Sequence, residues 1–153
     1  MKNNLLSEKL IYTGESQTPT HLHLCTYNAN EMQEVSGADF HEISSSLNSE
    51  RINWLQVHGM KNTETVREIC EHFEINFLVL QDILEQQQVC IILGTNYLLT
   101  FLENETDFFD DVSTALRNDV LKIRGRQSDY LLSVLLNSVI GNYTSMVSDI
   151  DDA

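Results

Sequence analysis

The apolar residues of this chain follow two different periods, and this feature constrains the fold more than any other. Apolar and polar residues alternate in residues 21–27, and residues 52–58 form a second β-rich run that ends at Gly59. A period of two is typical of strands, whereas helices have a period near 3.6. Helical spacing follows the second of these runs. The sequence therefore predicts both strands and helices within one chain.

The clearest local signal is a β-hairpin in the middle of the chain. Residues 89–93 and 97–101 are rich in strand-forming side chains, and Gly94, Thr95 and Asn96 separate the two runs. Two β-rich runs across a short loop of Gly and Asn are typical of a hairpin.

Helical spacing predicts a helix directly after the second strand. Residues 61–65 offer N-cap candidates, and the apolar residues from Val66 to Phe73 then recur on one face. The same spacing predicts short helices at residues 39–47, 75–84 and 108–116. Residues 28–37 are predicted to be rich in turns, and the basic residues 122–126 are predicted to form a solvated loop.

The last segment, residues 128–152, predicts the longest helix. Its apolar residues step alternately by four and three, which is a heptad pattern; they are Leu132, Leu136, Val139, Tyr143, Met146 and Ile150. Leu135, Ile140 and Val147 widen this stripe, so a helix that faces the core is a second explanation. We predict that the helix packs on the rest of the chain at its start and projects at its end.

Composition narrows the function classes. Nine Lys and Arg against 23 Asp and Glu give a formal net charge of −14. Such a surface repels nucleic acid and anionic lipids and concentrates cations, although solubility alone also explains it. We expect a soluble chain, because no run reaches the ~18 apolar residues of a membrane span and the N-terminus lacks the apolar core of a signal peptide.

The first strand places His21, His23 and Cys25 on one face, because residues two apart share a side. This face could suit a soft metal or a nucleophile, but an ordinary sheet face is the better explanation, because the sequence places no fourth ligand or oxyanion device beside it. The three cysteines lack zinc-site spacing, which favours free thiols in a reducing cytosol. The hydrolase and phosphate-loop motifs are absent from the sequence, so we expect no enzyme.

Three runs, in this order, resemble the soluble part of CorA-type magnesium and divalent-cation channels. The first run consists of residues 52–59, the helix that follows them up to Phe73, and residues 78–84. The second is the hairpin 89–101. The third extends from residues 129–131 through 142–143 to 149–152. The resemblance implies an α/β (α+β) fold, a mixed β-sheet flanked by helices that ends in the start of a long stalk helix. It divides the chain into a cytoplasmic domain, residues 1–127, and the start of the stalk, residues 128–153.

The resemblance also implies a role at the cytoplasmic face of the inner membrane. In such channels five copies surround an axis, and Mg²⁺ between neighbouring domains holds the channel shut. The residue that matches an interface carboxylate is Asp82. The resemblance further implies self-association through the stalk and the domain interface, with membrane contact only through helices absent from this chain. We therefore expect no ion conduction by the chain as it stands.

Several positions depart from the family pattern. Gln81, Asn137, Gly141 and Asn142 stand where CorA-type proteins often carry acids, which predicts weaker Mg²⁺ binding. Only residues 85–88 bridge the Asp82 segment and the hairpin, where the family usually has two further strands. The densest acidic group is best explained as a solvated loop and helix start, and a weak, exposed Mg²⁺ site is the alternative; its members are Glu103, Glu105, Asp107, Asp110 and Asp111.

Overall fold

The computed structural model describes residues 18–76, 78–81, 89–103 and 109–152, and it describes side chains up to Gly141. Asp82 and the bridge 85–88 lie outside these ranges. The strands are β1 (His21–Tyr27), β2 (Met32–Gly37), β3 (Ile52–His58), β4 (Val89–Leu93) and β5 (Tyr97–Leu102). The helices are α1 (Phe40–Ser44), α2 (Thr63–His72), α3 (Asp110–Arg117), a 3₁₀ helix (Val120–Gly125) and α4 (Ser128–Asp152).

The five strands form one mixed sheet in the order β2-β1-β3-β5-β4. Strand β1 pairs antiparallel with both β2 and β3, and β4 pairs antiparallel with β5. Strands β3 and β5 are parallel, and helix α2 lies in the connection between them. The hairpin, the mixed sheet and the flanking helices predicted from the sequence are therefore confirmed.

Each face of the sheet carries its own hydrophobic core, because strand side chains alternate between the two faces. The first core packs the sheet against α1 and α2, and its larger members are Leu22, Leu24, Ile43, Leu55, Val66, Ile69 and Phe101. The second core packs the other face against α3, the 3₁₀ helix and α4, with Cys25, Tyr27, Trp54, Leu98, Phe109, Leu116, Leu131 and Leu135.

The helix starts follow ordinary capping rules. The side chain of Asn62 accepts a hydrogen bond from the Thr65 amide at 3.1 Å, which confirms the predicted polar start of α2. In the same way the Asp39 carboxylate accepts from the Glu42 amide at the start of α1.

Strand β2 lies where the sequence predicted turns, and this prediction was wrong. Met32 and Val35 of β2 pack against the cores, Gln33 is exposed to solvent, and Glu34 makes polar contacts that are described below. An edge strand of this composition has no hydrophobic period and is held by its backbone pairing with β1. The predicted loop at residues 122–126 differs as well, since most of it belongs to the 3₁₀ helix.

Helix α4 has the predicted bounds, but its buried face differs from the heptad stripe. Leu131 and Leu135 are completely buried against the sheet. Leu132 and Val139 are half-buried, and Leu136 of the heptad stripe is exposed. Over its described side chains the helix therefore faces the core through a stripe one residue away from the predicted one.

Candidate functional site

Strand β1 presents His21, His23 and Cys25 on one face, as predicted, but it gives them different surroundings. Cys25 is buried in the second core, and burial raises the pKa of its thiol to about 12. A thiol with this pKa is protonated at neutral pH, so it is a poor nucleophile and a poor metal ligand. The geometry thus favours the interpretation of Cys25 as a core residue.

The two histidines line a polar cavity of about 420 Å³ at one end of β1 and β3, which we call the histidine cavity. The rings of His21 and His58 stack nearly in parallel, with 4.8 Å between their centroids. Helix α3 covers the other side of the cavity. The residues that line it are His21, His23, Ser36, Gln56, His58, Asp110, Ser113, Thr114 and Arg117.

A carboxylate from the unpredicted strand β2 organises this cavity. Glu34 accepts two hydrogen bonds from the guanidinium of Arg117, at 2.8 and 2.9 Å, and it lies 2.9 Å from Nε2 of His23. The Nδ1 atom of His23 lies 2.9 Å from the hydroxyl of Ser36. The hydrogen bonds from Arg117 hold the pKa of Glu34 below its usual value and raise the pKa of Arg117. Glu34 therefore ties the edge strand to α3.

This arrangement does not form a metal centre. Of the side chains that the structure describes, no three His, Cys, Asp or Glu stand together as a group able to hold a metal ion. The sequence interpretation missed Glu34, Ser36 and Arg117, because β2 was not predicted and Arg117 lies 83 residues from Glu34. The available signal was the two-residue spacing of Glu34 and Ser36, which places both on one strand face.

The acidic residues predicted as metal ligands are only partly within the described ranges. Glu103 is half-buried, and Asp110 and Asp111 are exposed in the first turn of α3, where acids oppose the helix dipole favourably. Asp82, Glu105 and Asp107 lie outside the described residues. Of the positions where the resemblance leads us to expect acids, Gln81 is half-buried, and Asn137 and Gly141 are exposed.

Helix α4 leaves part of its apolar surface uncovered. Leu136 is 43% exposed and Ile140 is 60% exposed, whereas Leu131 and Leu135 beneath them are buried. We call Leu136 and Ile140 the α4 patch. The helices found among the described residues are all too short or too polar to cross a membrane.

These features define a small mixed α/β domain whose C-terminal helix packs on the sheet and leaves part of its apolar surface exposed. The chain is similar to the cobalt/magnesium transport protein CorA of Thermotoga maritima, with 27% identity over 182 residues. The comparison covers 99% of this chain and 52% of the relative, so the chain spans about half the relative's length. No family model matches the chain. The similarity confirms the resemblance to CorA-type proteins that the three sequence runs indicate.

Proposed function

We propose that the chain is the cytoplasmic regulatory domain of a channel for magnesium or a related divalent cation, and that it serves ion sensing and assembly. The similarity to a cobalt/magnesium transport protein over 99% of the chain carries this proposal. In it, residues 1–127 form the sensing domain and residues 128–153 begin the stalk towards the pore. The domain acts at the cytoplasmic face of the membrane, as part of a longer protein, and has no catalytic role.

The proposed ion site lies between subunits and uses Asp82. A hard cation such as Mg²⁺ prefers oxygen ligands, keeps several waters, and links carboxylates that otherwise repel each other. The formal net charge of −14 favours this role, since facing acidic domains separate when the ion leaves. Ion loss would in this way favour the open arrangement of the channel.

The α4 patch supports the assembly part of the proposal. Leu136 and Ile140 are exposed on a helix that is otherwise anchored by Leu131 and Leu135. Apolar side chains left uncovered on a helix become buried when copies of the helix associate. We propose that the patch and the domain interface hold five copies around the channel axis, and that the isolated chain associates weakly.

A second candidate is an interaction module that has the same fold but no longer senses the ion. The amides and glycine at Gln81, Asn137, Gly141 and Asn142 favour it, because by the resemblance they stand where charged ligands are expected. The alternative of a small enzyme or ligand-binding protein that uses the His21, His23 and Cys25 face is disfavoured by the buried, protonated Cys25 thiol.

Sedimentation velocity and thermal melts against Mg²⁺ test the ion-sensing proposal. We expect millimolar Mg²⁺ to raise the melting temperature or the assembly state, and Asp82→Ala to abolish this response. Glu50→Ala is the matched control, because it removes one exposed carboxylate elsewhere and should leave the response intact. The same response to Mg²⁺ and to monovalent salt at equal ionic strength would favour the interaction module instead.

Sedimentation across a concentration series tests the assembly proposal. We expect a monomer at low concentration and association at high concentration. Leu136→Ser should weaken this association, because it removes an exposed apolar contact without touching the core. Val120→Ser is the control, since Val120 is similarly exposed, at 48% against 43% for Leu136, but lies on the 3₁₀ helix. A tight pentamer at low concentration, or equal effects of the two substitutions, would contradict the proposal.

A further inference from the structure

Strand β4 forms one edge of the sheet, and its sequence does not protect that edge. Within the part of the chain that the structure describes, it pairs with β5 on one side only. All five of its side chains are apolar; four are half-buried, and Leu93 is 43% exposed. Natural edge strands usually carry a Lys, a Pro or a bulge that discourages pairing with another strand. Strand β4 has neither Lys nor Pro, and its register with β5 is continuous.

The other edge strand, β2, is protected in the ordinary way. It is mostly polar, and it carries the charged side chain of Glu34, which Arg117 holds in place. A charge on an edge strand discourages pairing with another chain, because the charge would have to leave water. The two edges therefore differ, and β4 is the one that is suited to accept a further strand.

The hairpin geometry determines which backbone groups of β4 point away from β5. The Gly94 amide donates to the Tyr97 carbonyl at 2.9 Å, and from this pair hydrogen-bonded and non-hydrogen-bonded pairs alternate along the hairpin. Cys90 and Ile92 therefore exchange backbone hydrogen bonds with β5. The remaining residues of β4 direct their N–H and C=O groups to the outer edge; they are Val89, Ile91 and Leu93.

This outer edge is complementary to a second copy of itself. When two β4 strands run antiparallel with Ile91 opposite Ile91 of the second copy, Val89 of each copy lies opposite Leu93 of the other. All of these are residues with outward backbone groups, so each outward N–H meets an outward C=O. The arrangement has two-fold symmetry, in which the same surface serves both copies. A second β4 also has the length that covers the edge completely.

The local charge pattern favours a second copy even though the chain as a whole is acidic. Residues 86–102 contain no Asp, Glu, Lys or Arg, in a chain with a formal net charge of −14. Two copies that meet along β4 therefore bring no like charges of this segment opposite each other, which would destabilise the pairing. The cross-strand neighbours are apolar, and their half-buried side chains lose further contact with water.

We infer that β4 pairs edge to edge with β4 of a second copy of this chain, so that two five-stranded sheets become one continuous sheet. A contact of this length is small for a protein interface, so we expect a weak dimer with a dissociation constant on the order of 0.1 mM. The pairing uses neither the α4 patch nor the proposed ion site, and its test is independent of theirs.

Disulfide trapping of the full chain tests the contact and its register. In the inferred pairing, residue 90 of one copy lies opposite residue 92 of the other, with about 4.5 Å between their Cα atoms, a distance that a disulfide spans. Ile92→Cys should therefore form a covalent dimer through Cys90 under mild oxidation. The unchanged chain and the double variant Cys90→Ser/Ile92→Cys should not, because identical positions lie about 7–8 Å apart.

Hydrogen exchange at two protein concentrations distinguishes a second copy from other occupants of the edge. We expect the outward amides of Val89, Ile91 and Leu93 to exchange about threefold or more slowly at about 1 mM than at about 20 µM. The amides of Cys90 and Ile92, which bond to β5, should change little. Protection of the outward amides that is independent of concentration would mean that another segment of the same chain covers the edge, and would overturn the inference.

Proline substitutions supply a matched pair of variants for the trapping experiment. Ile91→Pro removes an outward N–H and keeps the pairing with β5, so in the Ile92→Cys background it should abolish the covalent dimer. Met32→Pro makes the same change at an outward position of β2 and should leave the dimer intact. Leu136→Ser should also leave it intact, which separates this contact from the α4 patch.

Thermal melts establish that each of these variants folds. If Ile91→Pro does not fold, trapping with Ile92→Cys and its two control chains still decides the question. The inference is overturned if Ile92→Cys gives no covalent dimer, if the unchanged chain or Cys90→Ser/Ile92→Cys gives as much, or if Ile91→Pro folds and still cross-links like Met32→Pro.

Discussion

The histidine cavity and a cavity of about 270 Å³ lined by Tyr27, Arg51 and Arg124, which we call the arginine cavity, lie at opposite ends of β1 and β3 and differ in how their charged side chains are paired. At the histidine end, Glu34 accepts two hydrogen bonds from Arg117 and contacts His23. At the arginine end, Glu31 pairs with Arg51, and Asp119 lies 3.7 Å from Nε of Arg124, a donor without a hydrogen-bond partner among the described residues. Carboxylates are therefore present at both ends, and their pairing with arginine is closer at the histidine end than at Arg124.

The difference teaches how the two ends contribute to stability. A carboxylate that accepts two hydrogen bonds from a guanidinium stabilises the fold, whereas a buried donor without an acceptor costs stability. We therefore expect substitutions at the histidine end to lower the free energy of unfolding more than substitutions at the arginine end.

The largest expected contrast comes from one glycine at each end. Gly59 follows β3 at the histidine end with a φ of 81°, and an added Cβ would lie 2.6 Å from the carbonyl oxygen of Thr18. Gly59→Ala should therefore lower the free energy of unfolding by about 2 kcal/mol or more, a loss of roughly 4 °C or more in melting temperature. Thermal melts measure this change.

Gly125→Ala is the matched substitution at the arginine end. An added Cβ at Gly125 would meet only the Cβ of Ala29, at 4.0 Å, and its φ is not in the left-handed region. The change should be neutral or stabilise by up to about 1 kcal/mol, because alanine restricts the unfolded chain. If Gly59→Ala and Gly125→Ala lowered the melting temperature equally, the proposed difference between the two ends would be contradicted.

The next contrast concerns Glu34. Glu34→Gln removes the acceptor of Arg117 and His23, and we expect a loss of about 1–2 kcal/mol at neutral pH, kept modest because the Arg117 side chain is half exposed. Urea unfolding at pH 7 measures the loss. Glu64→Gln is the control, since Glu64 pairs with Arg67 on an exposed helix surface, and it should have a smaller effect.

The pH dependence of the same stabilisation has a definite sign. The pKa of Glu34 is lowered in the folded chain by the Arg117 hydrogen bonds. Its contribution is therefore complete above the unfolded-state pKa of about 4.3 and is lost as the pH falls through the lower folded-state pKa. Between pH 7 and pH 3, the free energy of unfolding should fall further in the unchanged chain than in Glu34→Gln. Urea unfolding at both pH values measures this difference. Parallel pH profiles would contradict the assignment of Glu34.

How far the sequence predicts this molecule can be judged from the same regions. Strands β1, β3 and the β4–β5 hairpin follow from local pattern, and so do the bounds of α4, because each carries a hydrophobic period of its own. Strand β2 has no such period, since most of its residues are polar and its backbone pairing with β1 defines it. A periodicity argument has nothing to detect in an edge strand of this kind.

The sites were less predictable than the fold. The common face of His21 and His23 follows from strand geometry, but the carboxylate that organises the histidine cavity comes from the unpredicted β2. The arginine cavity joins residues 27, 51 and 124, and only the folded sheet brings them together. Arg124 belongs to a basic cluster that the sequence predicted to be solvated, whereas its side chain is 18% exposed. Asp82 lies outside the described residues and stays a prediction.

The smallest expected effect distinguishes two hydroxyl groups on completely buried residues of the sheet, Tyr27 on β1 and Thr100 on β5. Thr100 accepts a hydrogen bond from Nε1 of Trp54 at 3.2 Å, whereas the Tyr27 hydroxyl has no partner among the described residues. Thr100→Val leaves the Trp54 donor buried and unpaired, so we expect a loss of about 1–2 kcal/mol. Tyr27→Phe removes a donor that is already unpaired, so the free energy of unfolding should stay level or rise by up to about 1 kcal/mol. Urea unfolding of both variants measures the difference. A loss for Tyr27→Phe as large as that for Thr100→Val would mean that the Tyr27 hydroxyl already has an acceptor.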